Sequence, residues 1–252
     1  MSKRAIILAA GVGQRLQLPA DAAAPKCLLR FDGISLLERH LRLLRAVGVE
    51  DVVIVVGYEH QQVAAEIEAI DWLPRPSLIL NAQYTLGSVV SVAAAAQTLC
   101  AGDDVLLMDA DVLYDQRMLA VLAADDHADR LLIDCDFEAG DEPVKLCLLE
   151  GRPVELRKKP VPELRYDKVG ESVGFFRFTA ASAADLAIIV RHYAANGRGN
   201  EPHEEAVRDL LLAAPERFES ADVTGLPWLE IDFPVDVVRA RDVVLPQLQP
   251  LL

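Results

Sequence analysis

Short apolar, β-branched runs alternate with stretches of helical period along the first half of the chain. The first is a strand-like run near Arg4 to Ala9, followed by a glycine-containing loop from Ala10 to Arg15. Ser35 and Glu38 form a capping-box pattern, with Leu36, Leu37, His40, Leu41, Leu44 and Val47 at three-to-four spacing and Gly48 just beyond. This predicts a helix with one buried stripe. Asp51 to Val56 carries a continuous apolar run closed by Gly57. A helix to about Ile70, a strand near Ser77 to Asn81 and an Ala-rich helix from about Gly87 to Leu99 follow. Continuous rather than alternating runs suit strands covered on both faces, so the rhythm predicts βαβ units on a parallel sheet. Val105 to Met108 delivers Asp109-Ala110-Asp111 at its C-terminal end, the edge at which open parallel sheets place ligands.

After about Arg130 the texture changes. Leu131 to Cys135, Val144 to Leu149, Val154 to Leu156 and Ser172 to Phe178 are strand-like but separated by Gly, Pro and acidic turns, which predicts a small antiparallel insertion. Helices return near Ala181 to Tyr193 and Glu201 to Leu212, and a strand-like Trp228 to Asp232 leads into Val235 to Leu245. No linker-grade segment and no repeat interrupts the pattern. The expectation is a single three-layer α/β/α domain over residues 1–252, with a mixed, mostly parallel central sheet. Residues up to about 130 would bind a nucleotide, and about 131–252 would cover an acceptor.

Composition narrows the function classes. Of 252 residues 52% are apolar and 25% charged, as in a folded globule, and 39 acids against 25 Lys plus Arg give a net charge of −14. Such a surface repels phosphate backbones, so nucleic-acid binding is disfavoured and any phosphate must meet a local basic pocket. No apolar run approaches the roughly 20 residues of a membrane span, and Gly11, Gln14 and Arg15 interrupt any signal-like core. No membrane insertion and a cytoplasmic location are therefore expected. Cys27, Cys100, Cys135 and Cys147 have no CxxC spacing and sit in apolar contexts, which predicts four buried thiols without chemistry.

The loop Gly11-Val12-Gly13-Gln14-Arg15-Leu16 and the later Pro25-Lys26 bring flexible backbone N–H groups and two fixed charges to one place, a combination that fits a polyphosphate. Leu16 stands where a dinucleotide fingerprint needs its third glycine, and no Gly-Lys-Ser/Thr ending completes a P-loop. Asp109, Asp111 and the distant Asp232 offer the hard oxygen ligands that magnesium takes, with either aspartate of the pair available. Arg157-Lys158-Lys159 is a second basic place. Tyr84, Tyr114, Glu171, Tyr193, His203, Glu204, Trp228 and Glu230 supply the rings and carboxylates that could hold a cationic alcohol. On a strand, Trp228, Glu230 and Asp232 would share one face.

Leu-Ala-Ala-Gly-x-Gly-x-Arg-Leu at residues 8–16 with Pro-Lys-Cys-Leu-Leu at 25–29 resembles the signature of nucleotidyltransferases that join a nucleoside triphosphate to a sugar or alcohol phosphate. Val55 to Tyr58, Asn81 to Ser88, Asp109 to Asp115, Gly170 to Phe175 and Trp228 to Asp232 are similar, in order along nearly the whole chain, to the phosphocholine cytidylyltransferase-like family. Relatives using inositol phosphate or aminoethylphosphonate share these blocks. The resemblance implies the Rossmann-like nucleotidyltransferase fold and a site for CTP built from Leu8, Ala10, Gly11, Gly13, Arg15, Lys26, Gly57, Asn81, Gly87, Ser88 and Asp109. It also implies Mg2+ on Asp111 and Asp232, and catalysis supported by Lys26, Arg15 and Lys158. A phosphorylated small alcohol, phosphocholine or a similar amino-alcohol phosphate or phosphonate, would lie among Tyr84, Glu171, His203, Glu204, Trp228 and Glu230. Where relatives often show Tyr-Glu, this chain has His203-Glu204. A homodimer is compatible with this reading. The alternatives are another acceptor (inositol phosphate or a sugar 1-phosphate) and a catalytically silent nucleotide-binding regulatory domain. A Rossmann oxidoreductase is disfavoured by the missing third glycine and by Gly57-Tyr58 where a ribose-binding acid belongs.

Overall fold

The computed structural model describes residues 2–16, 24–124 and 128–251. Its first half runs β1 (Lys3–Ala9), β2 (Arg30–Phe31), β3 (Ile34–Ser35), α1 (Leu36–Ala46), β4 (Asp51–Val56), α2 (His60–Ala69), β5 (Ser77–Leu80), α3 (Val89–Ala94), α4 (Ala96–Leu99), β6 (Asp104–Asp109), β7 (Val112–Tyr114) and α5 (Gln116–Leu122). The second half adds β8 (Asp129–Asp134), β9 (Lys145–Leu149), β10 (Arg152–Arg157), β11 (Lys168–Phe178), α6 (Ala180–Ala195), α7 (His203–Ala213), β12 (Phe218–Asp222), β13 (Trp228–Glu230) and α8 (Pro234–Arg239).

β1, β4, β5 and β6 pair in parallel, with β1 between β4 and β6. Two sets of helices cover the two faces, which is why the middle positions of β1, β4 and β6 are apolar without alternation, whereas the edge strand β5 stays largely exposed. On β1 and β6 the parity decides the side. Ala5, Ile7, Leu106 and Met108 pack with Leu37 and Leu41 of α1 and Met118 of α5, whereas Ile6, Val105 and Leu107 pack with Val90, Leu186 and Leu210 of α3, α6 and α7. The capping reading of α1 holds: Ser35 Oγ accepts from Glu38 N–H at 3.1 Å.

β11 is antiparallel to β6 on one edge and to β8 on the other, and β12 extends the sheet from β8. Of the nine strands, β10 and β11 oppose the other seven, so the sheet is mixed and mostly parallel. The antiparallel part is the β9–β10 hairpin, which joins the N-terminal half of β11 and continues the central sheet. A register shift between Ser172 and Phe176 marks a bulge in β11, with Gly174 at φ +78°. The strand β12 has no counterpart in the sequence reading; its first residue, Phe218, seals the core against Phe178. A buried ion pair, Arg177 to Asp104 at 3.1 Å, ties β11 to β6. Of the cysteines, Cys27 and Cys147 are buried, Cys135 is half-buried and Cys100 is exposed, so burial holds fully for two of the four; all are free thiols. No helix among the described residues is long and apolar enough to cross a membrane.

Candidate active site

The C-terminal ends of β1 and β6 open into a cavity of about 330 Å³. The chain turns away from β1 at Ala10, whose carbonyl accepts from Tyr58 N–H at 3.1 Å, and a tight turn follows in which Leu16 N–H donates to Gly13 O at 3.0 Å. Gly13 has φ +65°, and a Cβ there would meet the Lys26 stem at 3.0 Å, so the glycine both makes the turn and lets the lysine pass. Lys26 Nζ donates to Asp111 Oδ2 at 2.8 Å and Asp232 Oδ1 at 2.7 Å. Burial works against its charge, but the two carboxylates outweigh that effect and hold the ammonium above its ordinary pKa.

The β7–β13 pairing explains how residues so far apart in sequence meet. Trp228 lies opposite Tyr114 and Glu230 opposite Val112, and Ile231 N–H donates to Asp111 O at 3.0 Å, so Asp232 arrives beside Asp111. Asp111, Glu230 and Asp232 each offer an oxygen, all within 4.8 Å of one another. Oxygen-only donors at this spacing fit a hard divalent cation such as Mg2+. Glu230 belongs spatially with this pair rather than with an acceptor pocket. Crowding by the cavity walls, then the charges of Asp111 and Asp232, hold its carboxyl well above the usual range. Asp109 stands apart. Burial, then Glu204 and Asp111, hold its carboxyl high, and its Oδ2 lies 4.0 Å from His203 Nε2.

Across the cavity, Arg15 reaches Asp232 at 2.8 Å and Glu142 at 3.1 Å, and Lys158 reaches the same Glu142 oxygen at 3.2 Å. One carboxylate thus joins the two cations that sequence reasoning set aside for phosphates. Ser88 does not cap its own helix. Its Oγ accepts from His203 N–H at 2.8 Å, at the first turn of α7, and lies 3.0 Å from His203 Nδ1. Gly87 serves the same junction. Its N–H donates to Gly199 O at 2.9 Å, and a Cβ would collide with Glu201 O at 2.2 Å, so the close approach there comes from the protein's own backbone.

Of the residues expected at the site, Leu8, Ala10, Gly11, Gly13, Arg15, Lys26, Tyr84, Gly87, Ser88, Asp109, Asp111, Lys158, Glu171, His203, Glu204, Glu230 and Asp232 all border the cavity. Three do not. Gly57 lies beneath it, where a Cβ would meet Tyr84 Cβ at 2.4 Å and Ala10 O at 2.8 Å. Asn81 is buried and shapes the following loop, accepting from Gln83 N–H at 2.9 Å and donating to Ser91 Oγ at 3.0 Å. Trp228 packs against the core and donates its indole N–H to Asp134 Oδ2 at 2.7 Å; it lies opposite Tyr114, and only Glu230, two residues along β13 and opposite Val112, reaches the cavity. Tyr114 and Tyr193 are likewise core residues. Sequence reasoning missed Glu142, Ser172 and Gly174. Only the last left a signal, a glycine between Val173 and Phe175 inside a strand. A Cβ at Gly174 would lie 2.5 Å from Asp109 Oδ2.

A family model for the MobA-like NTP transferase domain matches residues 5–166, more than half of the chain and the whole span from the glycine loop past Lys158. The chain belongs to the MobA-like NTP transferase family. The chain is 30% identical over 257 residues to the bifunctional IPC transferase and DIPP synthase of Rubrobacter xylanophilus, with 96% of the chain aligned to 52% of that protein. It is 28% identical over 251 residues to the CMP-5'-(3-aminopropyl)phosphonate synthase of Streptomyces rubellomurinus, with 94% of the chain aligned to 38% of it. The chain thus spans about half or less of these curated relatives. The solved CTP:phosphocholine cytidylyltransferase of Streptococcus pneumoniae superposes with a TM-score of 0.75 at 20% identity, covering 96% of this chain and 99% of that one, a likeness of fold.

Proposed function

We propose that this NTP transferase is a magnesium-dependent cytidylyltransferase. It would transfer CMP from CTP to a phosphorylated small alcohol, in the class of phosphocholine and related amino-alcohol phosphates or phosphonates, and release pyrophosphate. The observation that carries the reading is Lys26, held charged between Asp111 and Asp232 directly beside the glycine turn and within reach of Glu230. A lysine and a set of oxygen ligands converging on a phosphate-sized loop suit phosphoryl chemistry, and a silent binding domain has no need of both. The CMP in the name of the related CMP-5'-(3-aminopropyl)phosphonate synthase supports the choice of base.

In this reading an oxygen of the acceptor phosphate attacks the α-phosphorus of CTP. The new O–P bond forms in line with the breaking bond to the β-phosphate oxygen, and pyrophosphate leaves with that electron pair. No side-chain nucleophile takes part, so positioning and charge carry the catalysis. Gly11 and Gly13 offer backbone N–H groups to the triphosphate, Lys26 and Arg15 neutralise it, and Lys158 orients the acceptor phosphate. Asp111 and Asp232, with Glu230 adjacent, would hold Mg2+, which supplies charge neutralisation on the phosphates when bound.

The test is to incubate the protein with each of the four ribonucleoside triphosphates and a panel of phosphorylated alcohols, including inositol phosphate and glucose 1-phosphate, and follow pyrophosphate release. Release that requires CTP and an acceptor is the expected result. Preference for another base, or no release with any pair, rejects the reading.

A further inference from the structure

We propose that the Ser88 hydroxyl caps α7 from outside that helix and so positions the acceptor wall, rather than reading the nucleotide; the inference rests on the cytidylyltransferase reading above and assigns one residue of its site.

α7 begins without a cap of its own. Pro202 precedes its first residue and has no side-chain oxygen, so the N–H groups of the first turn need an acceptor from elsewhere. Ser88 supplies it. Its Oγ accepts from His203 N–H at 2.8 Å, from a position 115 residues earlier in the chain. The same oxygen lies 3.0 Å from His203 Nδ1. A hydroxyl has one hydrogen, and with the backbone N–H already pointing at the oxygen, hydrogen-bond accounting assigns that hydrogen to Nδ1. Glu204 Oε2 is 3.2 Å from this nitrogen but makes no hydrogen bond with it. The Ser88 hydroxyl thus has no hydrogen left to donate to a base.

The starts of the two helices close each other. Gly87 N–H donates to Gly199 O at 2.9 Å and Val89 N–H to Glu201 O at 3.3 Å, so two N–H groups at the start of α3 are taken by the segment leading into α7.

From α7 the placement passes to groups that the acceptor meets in this reading. Pro202, His203 and Glu204 border the cavity. Glu205, in the same turn, accepts from Arg157 Nε at 2.8 Å, and Arg157 immediately precedes Lys158, the cation assigned to the acceptor phosphate. Further along α7, Arg208 Nη2 donates to Oε2 of the buried Glu155 of β10 at 2.9 Å. Ser88 therefore fixes one end of a turn whose other end is tied to the strand leading to Lys158. A helix start released from its cap frays within its first turn, so the loss is felt at Glu204 and Lys158. The glycine turn and Lys26, which hold the triphosphate, lie outside this chain of contacts.

The experiment measures pyrophosphate release with CTP or UTP and with phosphocholine, 2-aminoethyl phosphate or glycerol 3-phosphate as acceptor. Calorimetric binding of CTP and hydrogen exchange in the first turn of α7 are read on the same proteins: the wild type, Ser88→Ala and Ser88→Thr. Ser88→Ala should raise the acceptor KM by about three- to thirtyfold, the equivalent of one lost cap, and speed exchange at residues 203–206 by a similar factor. The KM for CTP and the preference for CTP over UTP should stay as in the wild type. Ser88→Thr, which keeps the oxygen, should behave as the wild type in all of these. An unchanged acceptor KM in Ser88→Ala, or a shifted CTP-to-UTP preference, overturns the inference, and the second result returns Ser88 to the base. If the wild type turns over no acceptor with CTP, it is the cytidylyltransferase reading that fails, and exchange together with CTP binding decides the cap. Faster exchange with unaltered CTP binding sustains it; unaltered exchange or weakened CTP binding rejects it. Should Ser88→Ala not fold, His203→Ala decides, because it keeps the backbone bond and frees the hydrogen of the hydroxyl: a constant CTP-to-UTP preference sustains the inference and a shifted one rejects it.

Discussion

Lys26→Met tests the centre of the site because it removes a cation from between two carboxylates while keeping a stem that fits past Gly13. Lys26 donates to Asp111 and Asp232 at 2.8 and 2.7 Å, and the side chains of these aspartates are 21% and 17% exposed. A hydrogen bond to a charged group is worth about 1.5 to 3 kcal/mol, and partial solvation favours the lower figure. The two bonds share one ammonium, so their joint contribution is about 2 to 3 kcal/mol. For a chain of 252 residues that corresponds to a fall in Tm of about 5 to 10 °C. The charge of Lys26 also opposes the upward shifts of Asp109 and Glu230. A carboxyl raised above its unfolded pKa contributes stability that is present below the unfolded value and lost as pH rises through the folded one. Raising these two further therefore makes the deficit of the variant grow as pH rises above the ordinary carboxylate range.

The same arithmetic has an opposite sign for metal. If Mg2+ enters between Asp111 and Asp232, in the wild type it must displace the ammonium, and in the variant it need not. Apo Lys26→Met should therefore bind Mg2+ about 30- to 150-fold more tightly, while its kcat falls by a hundredfold or more. Differential scanning calorimetry across a Mg2+ titration reads both effects: metal should raise the Tm of the variant at concentrations that leave the wild type unmoved. Equal metal responses in the two proteins would refute the argument, since the ammonium and the cation would then not share these carboxylates.

Four further outcomes follow from the same geometry. Asp232→Ala should lower kcat by about a hundredfold or more with folding intact, and a chelator should do the same to the wild type; near-normal turnover in the metal-replete variant removes Asp232 from the site. Gly174→Ala forces a side chain onto φ +78° and a Cβ to 2.5 Å from Asp109 Oδ2, so it should cost about 1 to 3 kcal/mol and depress kcat/KM, both measurable beside a Gly140→Ala control whose Cβ meets nothing closer than 3.9 Å. Trp228→Leu should lose about 1 to 3 kcal/mol of stability with its bond to Asp134 and leave the ranking of acceptors unchanged; a shifted ranking would return the indole to the pocket. Glu171, raised from 4.5 to about 7 by burial and Asp134, contributes stability below pH 4.5 that is lost as pH rises through 7. Glu171→Gln should thus be more stable than the wild type by about 1 to 2 kcal/mol at pH 8, after discounting for its partial exposure, with no such gain at pH 4 in denaturant titrations.

Legibility in the sequence tracked the range of the interaction that fixes each feature. β1, β4 and β6 were readable because burial on both faces writes an unbroken apolar run, and α1 because its cap and stripe lie within a dozen residues. β12 was not, since Phe-Glu-Ser-Ala-Asp at 218–222 carries one large apolar residue and becomes a strand by pairing with β8, some 90 residues earlier in the chain. The antiparallel texture after residue 130 was legible as texture, but whether such strands form their own sheet or extend the central one depends on β11, whose two halves pair with different partners.

The site divides along the same line. Gly11, Gly13 and Lys26, read from the glycine-turn motif and the lysine after it, border the cavity. Residue pairs on one strand were less secure. Trp228, Glu230 and Asp232 share a parity, yet Trp228 stands at the Tyr114 end of β13, where it packs on the core and bonds Asp134, while Glu230 and Asp232 stand at the Asp111 end. Parity gives a common face, and position along the strand decides which of its residues reaches the cavity. The consequence reaches the chemistry. Taking the indole out of the cavity removes the argument for a methylated cation, and Glu230 leaves the acceptor for the carboxylates around Lys26. What remains at the cavity is Tyr84 as its one Phe, Tyr or Trp ring among the described residues, and a single ring is not the cage a methylated cation needs.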